Sequence, residues 1–160
     1  MNRTEIAEIL AKPYSQQLLT GTTPARFAYV ALDGGPRVVP VGFHWDGERF
    51  HTFSTPKMAK VKALQQNPRV SITIDTEGFP PKALLLRGTA ELSLEDGVPA
   101  DYLASGKLVP ADQFENWKAG VEALYDQMYR ITVTLDWVKL LDFETTLPKA
   151  VQDLIEAKAG

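Results

Sequence analysis

Apolar and polar residues alternate with a period of two over several short runs of this chain, and recur at helical spacing over a few others. Val70–Asp75 (VSITID) and Arg130–Asp136 (RITVTLD) alternate cleanly and predict half-buried strands. Arg26–Leu32 (RFAYVAL), Arg37–Trp45 (RVVPVGFHW) and Arg49–Ser54 are rich in aromatic and β-branched residues and predict three more. Lys82–Leu94 (KALLLRGTAELSL) reads as one long strand, continuously apolar at first, then alternating with Ala90, Leu92 and Leu94 inward. Gly88, where the pattern changes, predicts a bulge or bend. Trp137–Phe143 (WVKLLDF) completes the set. The turn signals Asp33-Gly34-Gly35-Pro36 and Asp46-Gly47 predict antiparallel returns between the first three strands. Pro40 inside the second strand donates no ladder hydrogen bond and belongs on an edge or at a bulge; Gly42 lets another backbone or a flat ligand come close.

Helical spacing marks Thr4–Ala11, with Ile6, Ile9 and Leu10 on one face and Thr4 as cap, and a further turn over Ser15–Leu19. A third helix follows Ser54, with Thr55 as N-cap, Pro56 at the first helical position, Met58, Val61 and Leu64 inward, and Asn67-Pro68 as its stop. Glu95–Gln127 is a helical excursion in two pieces parted by Gly106 and Pro110; Phe114, Trp117, Val121, Leu124 and Tyr125 form a stripe expected to pack into the core. Pro148–Ala159 predicts a terminal helix. Six to seven strands joined mostly by hairpins define a mainly β (α+β) fold: a closed antiparallel barrel whose ends are plugged or flanked by helices.

The length of 160 residues fits a single domain over 1–160 that needs no staple. Cysteine is absent, which excludes thiol catalysis, disulfides and cysteine-ligated metals and fits a reducing compartment. No signal-peptide core or membrane-length apolar run is present, so a cytoplasmic protein without membrane association is expected. The net charge of −3 and pI near 5.4 argue against nucleic acid as a partner.

Against that acidic background, Arg49–Ile74 holds five basic residues (Arg49, Lys57, Lys60, Lys62, Arg69) and no acidic one. A helix start offers free N–H groups and a positive dipole end, so the Thr55–Lys60 corner is a candidate phosphate site; an ordinary helix with solvated lysines is the plainer alternative. His44 and His51, seven apart across a hairpin, are the only histidines. Without a third ligand they predict no metal site. Nucleophile-elbow, Rossmann and P-loop fingerprints are all missing, and no residue stands out as catalytic.

RVVPVGF, FHTFSTPKMAK, NPRVSITID and LLLRGTAEL, in that order and at close spacing, resemble the FMN-binding split β-barrel family, the pyridoxamine 5′-phosphate oxidase-like superfamily. The similarity is greatest to its flavin/deazaflavin oxidoreductase branch. It covers 24–94 strongly and 128–148 more loosely, where WVKLLDFETTLPKA resembles the same branch. The resemblance implies a six-stranded split barrel and a homodimer with a flavin at each of two interface sites. It also implies that the strand of Arg37, Val39, Pro40, Val41 and Gly42 lies along the isoalloxazine ring. Phe53 and Ser54 match an aromatic–hydroxyl pair at the cofactor, and Lys60, eight residues before Pro68, matches the phosphate-holding lysine.

Three departures stand beside these matches. Met58 and Ala59 occupy positions where the family's oxidases carry Ser-Arg, leaving Thr55 and Lys57 to compensate, though lysine lacks the bidentate fork of arginine. Gly42 replaces a lysine, and the C-terminal Arg-x-His motif is absent. Oxidation of pyridoxamine phosphate itself is therefore not expected. FMN is the expected cofactor and a small molecule the expected substrate, with the deazaflavin coenzyme F-420 as the alternative. A non-enzymatic flavin or haem carrier is the third reading. Trp137 either covers a cofactor from the partner or is a half-buried barrel residue.

Overall fold

The computed structural model describes residues 1–159. The chain begins with α1 (Arg3–Leu10) and α2 (Pro13–Thr20), then runs into β1 (Ala25–Val30), β2 (Pro36–Val41), β3 (His44–Trp45) and β4 (Phe50–Ser54). Next come α3 (Ala59–Gln66), β5 (Arg69–Asp75) and β6 (Ala83–Asp96). Residues 97–126 carry α4 (Ala100–Ser105), a short 3-10 turn (Ala111–Gln113) and α5 (Phe114–Leu124); β7 (Gln127–Leu141) and α6 (Lys149–Ala159) close the chain. None of the described helices is long and apolar enough to cross a membrane.

The described strands form one antiparallel sheet in the order β2-β1-β5-β6-β7-β4-β3. Its two edge strands, β2 and β3, are separated in sequence by only Gly42 and Phe43. Two residues span at most about 11 Å, so the sheet must curl until its edges nearly meet. This is the split barrel: closed by the chain itself and not by a final ladder. Pro40 sits on the edge strand β2, where its missing N–H breaks no inner pairing.

Alternation decides what fills the interior. Val70, Ile72 and Ile74 of β5 are buried, as are Leu84, Leu86 and Ala90 of β6 and Ile131, Val133, Val138 and Leu140 of β7. Phe43 stacks on Phe50 with ring centroids 4.8 Å apart, and Phe50 lies 6.5 Å from Phe27. The expected bend at Gly88 is present: Arg87 pairs with Trp137 but Gly88 with Leu135, so Asp136 is an extra residue on β7. A Cβ at Gly88 would lie 2.2 Å from the Thr134 carbonyl oxygen, so only glycine allows β6 and β7 to cross here. The displaced Asp136 carboxylate turns outward and pairs with Arg69.

Several expected elements are redrawn by the structure. Asn2, not Thr4, caps α1: its side chain accepts from Glu5 N at 2.9 Å while Glu5 accepts from Asn2 N at 2.9 Å, a capping box. The run 37–45 is two strands, because Gly42-Phe43 must cross from one sheet edge to the other. The runs 130–136 and 137–143 are one strand, since the bulge bends the ladder without ending it. Leu94 is exposed: β6 there has run past its last pairing with β5, at Thr89, and is paired with β7 alone. The α5 stripe does not pack into the core: only Val121 is buried, and Leu124 is 68% exposed.

Candidate functional site

The break between β2 and β3 opens a groove. Its barrel side is made by Pro40, Val41 and Gly42 and, from β4, Thr52 and Phe53. Thr52 Oγ1 donates to the Gly42 carbonyl at 2.9 Å, fastening the break to the neighbouring strand. Lys60, in the first turn of α3, also lines the groove. The opposite wall comes from the 97–126 segment: Tyr102 and Ser105 of α4, Gly106, and Trp117 of α5. The open groove has a volume of about 290 Å³.

Gly42 lies close against the opposite wall. A Cβ there would lie 3.1 Å from the Ser105 carbonyl oxygen, so a side chain would push the opposite wall away. On that wall, the Trp117 ring packs on the Gly106 backbone, where a Cβ would meet the indole at 2.6 Å. Tyr102 stacks on Trp117 (5.8 Å, 19°) and meets Phe53 edge-on (5.7 Å, 89°). Burial raises the Tyr102 hydroxyl above its ordinary value.

Lys60 is the electrostatic centre of the groove. It is half-buried, and burial pushes its ammonium below the ordinary lysine value. Among the described residues no carboxylate pairs with it, unlike Arg130, which binds Glu95 (2.5 Å) and Asp101 (2.5 Å); half-buried Lys107 also lacks a carboxylate but is held by the Leu19 carbonyl (3.1 Å). A half-buried ammonium without a carboxylate is a standing attraction for an anion. In the first turn of α3, Val61 N donates to the Met58 carbonyl (3.0 Å), while the N–H groups of Ala59 and Lys60 have no intrahelical partner by position.

The corner around Lys60 differs from the sequence expectation. Thr55 and Pro56 do not open the helix. Residues 55–58 form a turn in which Met58 N donates to the Thr55 carbonyl (3.2 Å), and the helix starts at Ala59 with Met58 as its uncapped N-cap. Proline suits the second position of such a turn as well as a helix start. Met58 points outward at 53% exposure, so Val61, Ala63 and Leu64 make the inner face.

The structure thus brings Pro40, Val41, Gly42, Phe53 and Lys60 together around one groove. Arg37 lies away from that lining, exposed and paired with Asp33 at 2.7 Å. Val39 is half-buried on β2 outside the lining. Ser54 is buried and donates to the Thr55 carbonyl (3.3 Å), while Thr55 and Lys57 belong to the turn before α3. Sequence reasoning missed Thr52, Tyr102, Ser105, Gly106 and Trp117. The available signal was the stripe's composition: aromatic side chains with polar tips suit a half-wet wall better than a core.

The histidines face each other across β3 and β4, rings 6.2 Å apart. His51 Nε2 lies 2.7 Å from Asp46 Oδ2 and Nδ1 lies 3.1 Å from Thr132 Oγ1, so its ring is held by polar partners. The described residues hold no cluster of three metal-ligating side chains. Trp137 is half-buried, with the Arg87 guanidinium 4.1 Å above its ring, and lies outside the groove lining.

A split antiparallel barrel with a lysine-bearing groove at its seam defines the split-barrel class of folds. The pyridoxamine 5′-phosphate oxidase profile matches residues 11–134, and the chain belongs to that family. Among solved structures, an F420 reductase is 26% identical, with a TM-score of 0.60 over 78% of this chain and 94% of its own. A FAD-binding protein from Mesorhizobium loti is 23% identical (TM-score 0.50; 86% and 92% covered). The haem storage protein HutZ from Vibrio cholerae is 18% identical (TM-score 0.58; 82% and 93% covered). These last two share the fold. No curated protein sequence matches the chain.

Proposed function

We propose that the protein is an FMN-binding oxidoreductase acting on a small molecule, with the cofactor phosphate held by Lys60. The observation that carries this reading is the half-buried Lys60, unmatched by any carboxylate among the described residues, in a groove lined by both aromatic and polar groups. Bound flavin would supply the hydride or electron transfer. The residues of the chain supply the rest. Val41 and Phe53 offer an apolar seat, and the seam at Gly42 exposes backbone that ends its ladder there. Lys60 with the start of α3 neutralises a phosphate, and Tyr102 and Trp117 keep water from one side.

A volume of about 290 Å³ lies at the lower edge of the roughly 300–1,000 Å³ of ligand pockets. It accommodates part of FMN and leaves the remainder to a second copy of the chain. The exposed edge β2, with Val38 64% accessible, is open to that contact. A homodimer completing the site follows from this reading. Pyridoxamine phosphate is not the proposed substrate, because the groove holds no lysine at Gly42 and no Arg-x-His.

A second reading, the deazaflavin coenzyme F-420 as cofactor, draws on the similarity to an F420 reductase. Met58 and Ala59, standing where a phosphate-binding hydroxyl and guanidinium are expected, point the same way. The absorbance spectrum of freshly purified protein separates the candidates: bands near about 370 and 450 nm for flavin, one near about 420 nm for deazaflavin, and a Soret band for haem. If the protein purifies without colour, each is titrated in turn. Lys60→Ala is expected to weaken FMN binding by about 1–3 kcal/mol; an unchanged affinity overturns the assignment.

A further inference from the structure

Residues 97–126 interrupt what is otherwise a long β6–β7 hairpin. Their neck is closed where Gly97 N donates to the Asp126 carbonyl (2.7 Å), with Gln127 Nε2 on Asp96 (3.0 Å) beside it. Within this insertion only Pro99, the N-cap of α4, and Val121 of α5 are buried, and neither belongs to the hydrophobic core cluster. Apolar burial therefore does little to hold it down. Two cations do more. Arg130 of β7 grips Glu95 at the neck and Asp101 of α4 while lying 5.3 Å from the Phe53 ring. At the far side, Lys107 Nζ donates to the Leu19 carbonyl in the last turn of α2 (3.1 Å) and sits 4.0 Å above the Phe43 ring. A cation at a helix C-terminus is favoured by both the free carbonyls and the dipole. Between these two fastenings, Tyr102, Ser105, Gly106 and Trp117 form one wall of the groove.

We infer that residues 97–126 are a lid over the seam groove, latched by Arg130 and Lys107, and that Tyr102 and Trp117 form the aromatic wall it closes against a planar ligand. The lid pivots at its neck, and the sheet beneath is undisturbed because the lid contributes almost nothing to the core. Lys107 and Arg130 are positioning residues, acting through the wall they hold. The ligand part of this inference rests on the flavin reading; the latch does not.

Hydrogen exchange of the ligand-free full-length protein tests the latch by itself. Amides of 98–126 are expected to exchange at least 100-fold faster than those of β5 and β6. Lys107→Met keeps the stem and removes the charge, and Arg130→Gln keeps a hydrogen-bonding head. Each is expected to accelerate exchange in 98–126 a further 5- to 10-fold while β5 and β6 stay unchanged. Exchange of 98–126 at the same rate as the sheet, in wild type and in Lys107→Met, overturns the lid. Arg130→Gln leaves Glu95 and Asp101 facing each other, so Arg130→Gln/Glu95→Gln/Asp101→Asn is measured alongside it, and local acceleration without loss of the sheet is again expected. The wall is tested by FMN titration. Trp117→Leu is expected to weaken FMN at least 10-fold and Trp117→Phe less than 3-fold, with FMN slowing exchange across 98–126. Equal affinity of Trp117→Leu and wild type removes the aromatic wall and leaves the latch standing. A protein that binds no FMN but shows the fast, latch-dependent exchange refutes the flavin reading and retains the lid.

Discussion

Phe27, Phe43 and Phe50 in the barrel are sealed from solvent, whereas Phe114, Trp117 and Tyr125 on the 97–126 insertion are all partly exposed. The two regions are equally rich in aromatic residues and use them differently. In the barrel, rings stack on one another inside a shell of β-branched neighbours, and their stabilisation comes from removal from water. On the insertion, rings stack along a wall whose other side is the groove, and ionic and hydrogen-bonded contacts at Arg130 and Lys107 fasten the segment to the body. Composition alone does not separate the two. What separates them is whether a second layer covers the apolar face.

The sharpest way to probe this difference is to remove one large apolar side chain from each region. Phe50→Ala is expected to cost about 3–5 kcal/mol in denaturant unfolding, the range for a buried phenylalanine. Leu124→Ser on the insertion is expected to stay within about 0.5 kcal/mol, because that side chain is largely solvated. Similar losses at both positions would mean that the insertion is part of the core.

A polar contrast of intermediate size lies at the end of β7. Asp142 is buried there and accepts hydrogen bonds from the backbone N–H groups of Glu144 (3.0 Å), Thr145 (2.8 Å) and Thr146 (2.8 Å) and from both threonine hydroxyls. Burial pushes its carboxyl up, but these donors outweigh burial and hold it far below the ordinary range. Asp142→Ala is expected to cost about 1–3 kcal/mol in thermal or chemical unfolding. A neutral outcome would show that the turn after β7 closes without it.

A smaller effect is expected at Asp46. Partial burial raises its carboxyl, yet the hydrogen bond to His51 and the N–H groups of Arg49 and Glu48 override that and hold it at about 2. The folded value is lower than the unfolded one, so this contribution is complete above about pH 4 and is lost as pH falls toward 2. Melting temperature measured from pH 5 to 2 is expected to fall less steeply in Asp46→Asn than in wild type. Parallel curves would contradict the assignment.

Much of the barrel was legible in the sequence. Period-two alternation located β5 and β7, the Asp-Gly pairs located the hairpins, and Gly88 marked the bulge. Less legible were features set by closure. That Arg37–Trp45 splits at Gly42 depends on the two sheet edges meeting, which no local window contains. The late start of α3 reflects a turn chemistry that uses the same threonine and proline as a helix start. Half of the groove was readable because β2, β4 and α3 lie close in the chain. Tyr102, Ser105, Gly106 and Trp117 arrive from some fifty residues further on, and helical periodicity assigned Trp117 to the core because it cannot report what lies opposite a stripe.

The central claim, that Lys60 receives the phosphate of a flavin-type cofactor, is tested most directly by a double comparison. FMN and riboflavin, which differ only in the phosphate, are titrated into wild type and Lys60→Ala. The expected result is a preference of wild type for FMN by about 10- to 100-fold, as for a charge-assisted contact of about 1–3 kcal/mol, with that preference abolished in Lys60→Ala. Equal affinities for the two ligands in wild type, or a preference that survives in Lys60→Ala, would contradict it.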